Sequence, residues 1–439
     1  MPEPAGSDRP DLAEQPEQSE QPAHSAEPGG RGQTRAAGHS EQPPGVPFAP
    51  GDTAGPDGTT EGGGGREAQL KHTGLRPGWT TGACATAATT AAYTALLTGE
   101  FPDPVAITLP KGQTPAFALA VEALTTGADG APRAMAGIVK DAGDDPDVTH
   151  GALVRATVTA LPRGSGVEFR AGPGVGTVTK EGLPLGVGEP AINPVPREMM
   201  RTHVARVAAE CGGSGDVRIE VSVDHGEEIA RSTWNPRLGI LGGLSVLGTT
   251  GIVVPYSCSA WIDSIRRGVD VARAAGRTHL AGCTGSTSER TVVAEYGLPE
   301  EALLDMGDFA GAVLKYVRRH PVDRLTVCGG FAKLSKLAHG HLDLHSARSQ
   351  VDKGFLADLA RQGGADEALA GAVAEANTGL AALQRCAAAE VPLGDLVAAA
   401  ARDQALDVLR GAPVGVDVLC IDRAGTVVGR AGVRGPRPG

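Results

Sequence analysis

A chain of 439 residues has room for two or three domains and a sizeable buried core. Its formal charge is −11, but residues 1–70 carry 12 acidic against 4 basic side chains, a net of −8, so the rest of the chain holds only −3. Without a basic face, and with 3% aromatic residues, the chain lacks both the counterion-displacing surface of a nucleic-acid binder and the stacking platforms of a single-strand binder.

Seven cysteines at wide spacings, with no CxxC, predict buried reduced thiols rather than a disulfide or zinc framework. The first residues, MPEPAGSDRP, offer neither a basic nor an apolar signal region. A cytoplasmic setting is therefore expected. Leu238–Ile262 is uncharged, but its five glycines and one proline favour a buried loop–strand–loop over a membrane span.

Taken in chain order, residues 1–72 read as a disordered, acidic, Pro/Gly-rich tail. Eleven prolines and thirteen glycines fall within the first 70 residues, too few apolar groups remain to offset ordering entropy, and Gly62–Gly65 reads as a flexible joint. Thr80 or Thr81 is expected to cap an Ala-rich helix over Gly82–Thr98 that stops at Gly99. Strands are predicted over Val105–Leu109, Ala116–Ala123, Arg133–Lys140, Ala152–Ala160 and Gly166–Arg170. A Pro-started helix follows over Arg197–Cys211, then a strand over Val217–Val223. This part, residues 73–237, has an α+β pattern.

From Leu238 to residue 432 apolar strands alternate with helices: Gly251–Val254, helix Ala260–Ala275, His279–Gly282, helix Asp308–Arg319 and Arg324–Cys328. Gly-rich turns after the strands predict an α/β domain with a small parallel sheet. Residues 365–411 read as Ala-rich helices, and Val416–Ile421 with Thr426–Gly429 as a closing hairpin.

Four segments can carry chemistry. The stretch LRPGWTTGACATAA places Thr80, Thr81 and free N–H groups at a helix start, an arrangement suited to an anion, though a plain capped helix explains it too. In KDAGDDPDVT the carboxylates of Asp141, Asp144, Asp145 and Asp147 crowd one turn. Crowding raises carboxylate pKa values and suits a proton acceptor or a cation site, whereas the bland alternative is a solvated turn. The Gly-rich run Gly172–Arg197 holds Lys180 and Arg197, which can pair with ligand carboxylates. Finally, Gly248, Thr249, Thr250, Gly282, Gly285, Asp308, Gly329, Gly330 and Lys333 lie in turns mostly after predicted strands, where parallel sheets bind ligands such as an adenosine-bearing cofactor. No dinucleotide fingerprint or phosphate loop accompanies them, so NAD and ATP gain no specific support. His339, His341 and His345 in HGHLDLH invite a metal reading, but nothing completes a ligand set, and no metal is expected.

Together LRPGWTTGACATAA, LPKGQ, KDAGDDPDVT, GVGTVTKEGLPLGVGEPAINPVPR, NPRLGILGGLSVLGTTGIV and GGFAKLSKLAHG, in this order, resemble the cobalt-precorrin-5B (C-1)-methyltransferase family of anaerobic cobalamin biosynthesis. The chain departs from that family's usual pattern at Gly307-Asp308-Phe309, Gly329–Lys333 and Asp343-Leu344-His345. The resemblance implies a ribosomal-protein-type α+β domain followed by a parallel α/β domain. It also implies methyl transfer from S-adenosyl-L-methionine to ring carbon 1 of cobalt-precorrin-5B, giving cobalt-precorrin-6A. On that reading Lys111, Lys140, Lys180, Arg197 and Lys333 answer substrate or cofactor charges, and the acidic turn stabilises charge or accepts a proton. The ligand is expected between the two domains. The partner is a small molecule, with neither nucleic acid nor membrane, and the oligomeric state stays open, a homo-oligomer included. Two other readings stand beside it: a nicotinamide-dependent reductase of a corrin precursor and a non-catalytic tetrapyrrole carrier.

Overall fold

A computed structural model describes residues 74–127 and 130–435; the expected tail over residues 1–72 lies outside the described residues. The first part runs β1 (Gly78–Trp79), α1 (Thr81–Thr98), β2 (Val105–Ala106), β3 (Ala116–Phe117), β4 (Val121–Thr126), β5 (Pro132–Val139), β6 (Leu153–Ala160), β7 (Val167–Ala171), β8 (Gly174–Val175) and β9 (Thr177–Val178). It continues with α2 (Pro194–Cys211), β10 (Val217–Val223), α3 (Gly226–Ala230), β11 (Ile240–Leu241), β12 (Gly243–Leu244) and β13 (Ile252–Val253).

Five strands form a sheet in the order β4-β5-β6-β10-β7, antiparallel except for the β10–β7 pair. Ala134, Ala136 and Ile138, with Val154, Ala156, Val158, Ile219 and Val221, alternate inward from its strands. Helix α1 packs between this face and α2. That position explains its composition. Most of its residues are buried, and apart from Tyr93 the fully buried ones are small: Gly, Ala, Cys and Thr. Thr86 and Thr90 bury their hydroxyls by donating to the carbonyl four residues back, Thr86 to Gly82 at 2.8 Å and Thr90 to Thr86 at 2.7 Å. Thr80 is the cap, its Oγ1 accepting from Ala83 N at 3.2 Å, and Gly99 ends the helix in the left-handed region.

Three short pairings correct the expected plan. Gly251–Val254 was expected to open the parallel series; instead β13 pairs antiparallel with β1. β11 pairs antiparallel with β9, and β12 parallel with β8. The apolar run around 238–254 thus pairs with strands preceding it, and Gly242, at φ +82°, separates β11 from β12.

The second part contains α4 (Cys258–Ala274), β14 (His279–Cys283), α5 (Ser286–Tyr296), β15 (Leu303–Asp305), α6 (Ala310–Arg319), β16 (Arg324–Gly330), α7 (Phe331–Ala338), α8 (Lys353–Gln362), α9 (Glu367–Ala374), α10 (Gly379–Ala388), α11 (Leu393–Leu409), β17 (Gly415–Ile421) and β18 (Val427–Arg434). Its sheet order is β15-β14-β16-β17-β18, with the first four parallel and β18 antiparallel. Leu280, Leu325, Val327 and Val418 face one core with α4, α6, α7 and α11; Ala281, Cys283, Cys328 and Leu419 face the other, with Val292 of α5. Because α5 and α6 cross on opposite faces, the chain reverses direction between β14 and β16. A crevice at such a reversal, outside the carboxyl ends of the strands, is where open parallel sheets take ligands.

The amino ends of these strands are locked by a buried acid on β17. Asp417 accepts from Arg324 at 2.9 and 3.0 Å, from Tyr296 Oη at 2.7 Å and from Thr326 Oγ1 at 2.9 Å. Asp417→Ala is expected to cost roughly 3 kcal/mol, the low end for breaking a buried pair because Arg324 keeps some solvent contact. Thermal unfolding checks this, and an unchanged midpoint refutes it. Among the described residues, no helix is long and apolar enough to cross a membrane.

Candidate functional site

The acidic turn after β5 is assembled against the segment before α1. Trp79 N donates to Asp141 O at 2.7 Å, and Asp144 N to Arg76 O at 3.0 Å. Glycine is required on both sides. A Cβ on Gly78 would lie 2.0 Å from the Ala142 carbonyl carbon, and one on Gly143, at φ +68°, 2.2 Å from Arg76 O. The quoted motifs LRPGW and KDAGDDPDVT are therefore two halves of one structure.

Its four carboxylates have separate surroundings. Asp141 takes the Arg76 guanidinium through both oxygens, one contact at 2.9 Å, and accepts from Gly143 N at 2.9 Å. The Arg76 hydrogen bond, more than any other influence, holds its carboxyl down at about 2. Asp144 is exposed and accepts from Arg76 N at 2.6 Å. Asp147 is buried with Lys140, Nζ to Oδ2 at 2.5 Å, and its Oδ1 accepts from Thr149 N at 2.8 Å and Thr149 Oγ1 at 2.6 Å. Asp145 has other surroundings: burial, then the charge of Asp147, pushes its carboxyl upward, and among the described residues only its Oδ1 is engaged, by Tyr256 N at 2.8 Å. Burial and a neighbouring charge win at Asp145; ion pairing wins at Asp141.

The start of α1 adjoins this turn. Thr80 and Thr81 are buried, and the nearby N–H groups are taken by backbone: Thr80 N donates to Gly251 O and Gly82 N to Leu247 O, both at 3.0 Å. Gly248, Thr249 and Thr250 lie in that same loop. A Cβ on Gly248 would meet the Thr80 side chain at 2.3 Å, and Thr250 Oγ1 donates to Ile252 O at 3.1 Å. These three thus stand beside Thr80 rather than at the ends of the parallel strands. Lys140 is consumed by Asp147. Arg197 binds its own loop, through Ile192 O at 2.7 Å, Pro190 O at 2.9 Å and Glu189 at 2.7 Å. Lys180 packs over Gly239, while Lys111 is exposed on the turn between β2 and β3.

The remaining residues selected from sequence converge. Gly282 and Gly285 at the end of β14 and Gly329 and Gly330 at the end of β16 border the reversal point. Lys333 Nζ reaches Asp308 Oδ1 and Thr284 O, each at 3.2 Å. A Cβ on Gly329 would strike the Thr284 methyl at 2.6 Å, so the two strand ends touch. At Gly285 and Gly330 a Cβ would meet nothing within 4 Å, which leaves open space over both.

Helix α4 joins the two regions. Tyr256, which binds Asp145, precedes the α4 cap Ser257, and Trp261, about one turn or ~6 Å further, donates from Nε1 to Asp305 O at 2.9 Å. Arg348, paired with Asp343, approaches Cys258 Sγ at 3.5 Å. Beyond them Arg237 binds Glu289 at 2.7 and 3.1 Å while lying over the Trp234 ring at 4.5 Å. Sequence reasoning had not selected Arg76, Tyr256, Trp261, Arg237 or Asp305. Arg76 stood inside a quoted motif, and Asp305 follows Gly285 by 20 residues, a spacing considered only for a full dinucleotide fingerprint.

The chain has close relatives. A family model described as CbiD matches residues 68–255, and one described as CbiD, C-terminal domain, matches residues 343–432. Proteins named cobalt-precorrin-5B C(1)-methyltransferase from Brucella anthropi and Brucella abortus strain S19 are each 60% identical over 356 residues, covering 81% of this chain and 95% of theirs. A solved structure, the cobalamin biosynthesis protein cbiD from Archaeoglobus fulgidus, is 26% identical, with a TM-score of 0.33, and the match covers 58% of this chain and 77% of that one.

Proposed function

The chain belongs to the CbiD family, and from that premise we infer that it methylates C-1 of cobalt-precorrin-5B, with S-adenosyl-L-methionine as donor and cobalt-precorrin-6A as product. The observation that carries this is the 60% identity sustained over 95% of the length of relatives bearing that name.

The residues fit such a donor. The backbone is unobstructed over Gly285 and Gly330 at the reversal of a parallel sheet, the place where such sheets take a nucleoside, and the Asp308–Lys333 pair borders it. When bound, S-adenosyl-L-methionine supplies a methyl group already activated by its sulfonium. The protein's task is then mainly alignment. Gly282, Gly285, Asp308, Gly329, Gly330 and Lys333 hold the donor, and the region of Thr80, Thr81, Gly248, Thr249 and Thr250 borders the substrate. Helix α4 sets the spacing between donor ledge and acidic turn. Asp145, with one oxygen fixed by Tyr256 and an upward-shifted carboxyl, is the proton acceptor of that turn. Arg76, tied to Asp141, keeps substrate carboxylates from facing bare aspartates, and Lys111, exposed in the same part, is a further cation for them.

On the same reading, the ribosomal-protein-type α+β domain, expected over residues 73–237, continues through β13, the parallel-sheet domain, expected over residues 238–432, begins with α4, and the enzyme acts in the cytoplasm. The test is transfer of labelled methyl from S-adenosyl-L-methionine into authentic cobalt-precorrin-5B by purified protein. Incorporation at C-1 is expected; no incorporation overturns the reading.

A further inference from the structure

We propose that the Asp305 carboxylate accepts the ribose hydroxyls of the adenosyl group, making it a donor-binding residue. The inference rests on the function just given and adds an assignment to it.

Position is the first argument. Asp305 is the last residue of β15, which lies beside β14 with Asp305 in register with Cys283. The glycine turn Gly282–Gly285 leads from β14 into α5, and α5 leads to β15. In parallel sheets that take nucleosides, an acid about 20 residues past the glycine turn, at the end of the neighbouring strand, receives the ribose hydroxyls. Asp305 stands 20 residues after Gly285.

Its hydrogen bonding is the second. Oδ1 accepts from Gly307 N at 3.2 Å, and among the described residues Oδ2 accepts no hydrogen bond. Arg237 engages both oxygens of Glu289, and Lys333 lies in an ion pair with Asp308. Among the described residues Asp305 has no cation paired with it, so its Oδ2 is open to a neutral hydroxyl donor. Burial, reinforced by the charge of Glu289, pushes its carboxyl up to about 6, the mark of a desolvated acceptor that gains from new donors.

The third is preorganisation. Trp261 Nε1 holds the Asp305 carbonyl at 2.9 Å, and the ring packs on Gly307, where a Cβ would come within 3.2 Å of it. The carboxylate thus has its backbone fixed before any ligand arrives.

Calorimetric titration of the full chain tests this, using S-adenosylhomocysteine and its 2′-deoxy and 3′-deoxy analogues. In the unaltered protein, losing a ribose hydroxyl should weaken binding by about ten- to a hundredfold, the range for hydrogen bonds to a charged acceptor. Asp305→Ala should weaken S-adenosylhomocysteine by a similar factor and bind parent and deoxy compounds alike. Asp305→Asn, nearly isosteric, gives the same comparison should the Ala variant fold poorly. Undiminished discrimination in either folded variant, or none in the unaltered protein, overturns the assignment while leaving the methyltransferase reading standing. Failure of the unaltered protein to bind S-adenosylhomocysteine at all removes the donor reading and this assignment with it.

Discussion

Lys140→Met is expected to destabilise the protein by about 3–5 kcal/mol, because it strands a buried carboxylate. Lys140 and Asp147 have no solvent-exposed side-chain surface, and their charged atoms stand 2.5 Å apart. Either charge alone would keep its desolvation cost without the compensating partner. Asp147→Leu is expected to fail similarly, leaving an ammonium among α1 and the sheet. The double variant Lys140→Met/Asp147→Leu should recover most of the loss, since an apolar pair of similar volume carries no desolvation cost. The measurement is the midpoint of thermal unfolding for the two single variants and the double. Single variants within about 1 kcal/mol of the parent would mean that water reaches the pair. Catalysis should suffer in the singles as well, because Asp147 anchors the turn through Thr149 and Lys140 leads directly into Asp141.

That pair also shows how the sequence can be read and misread. The resemblance offers Lys140 to the substrate because the substrate's carboxylates need cations. Yet Ala134, Ala136 and Ile138 all point inward, and the period of two that places them puts Lys140 on the same buried face. The alternation was visible in KDAGDDPDVT's own strand; what a single sequence cannot show is that a charged residue will obey it. Helix α1 was legible for the opposite reason, since its cap Thr80 and terminator Gly99 act within one turn of chain. β15 left little trace, because three residues, Leu-Leu-Asp, carry no measurable period. The segment 251–254 had the composition of a buried parallel strand, but composition does not specify a partner, and β1 claimed it from far upstream. That glycines stand at the ends of β14 and β16 is legible because strand-then-glycine is local; that Gly248–Thr250 belong beside Thr80 depends on contacts between distant segments.

For the reaction itself, Asp145→Asn is expected to lower kcat by about 10²- to 10⁴-fold, the usual contribution of a positioned acid or base. The conservative Asp144→Asn should remain near the parent value. The two side chains are adjacent, so the contrast comes from surroundings. Asp144 is exposed and spends an oxygen on Arg76 N, whereas Asp145 is half-buried, raised by burial and by Asp147, and lowered in part by Tyr256 N and Lys140. A carboxyl whose folded pKa lies above its unfolded value must lose its proton to act as acceptor. Activity in the parent should therefore decline as pH falls through that raised value, and this acid limb should vanish in Asp145→Asn. The same shift has the opposite sign for stability. The folded state holds the Asp145 proton more tightly than the unfolded chain does, so its stabilising effect is full below the unfolded value and lost as pH rises through the folded one. Asn, which keeps a carbonyl oxygen for Tyr256 N, should then be at least as stable as Asp at neutral pH. A variant that is inactive yet no less stable separates chemistry from folding. If both Asn variants turn over at the parent rate, the turn is a structural brace, and the proton must leave by another route.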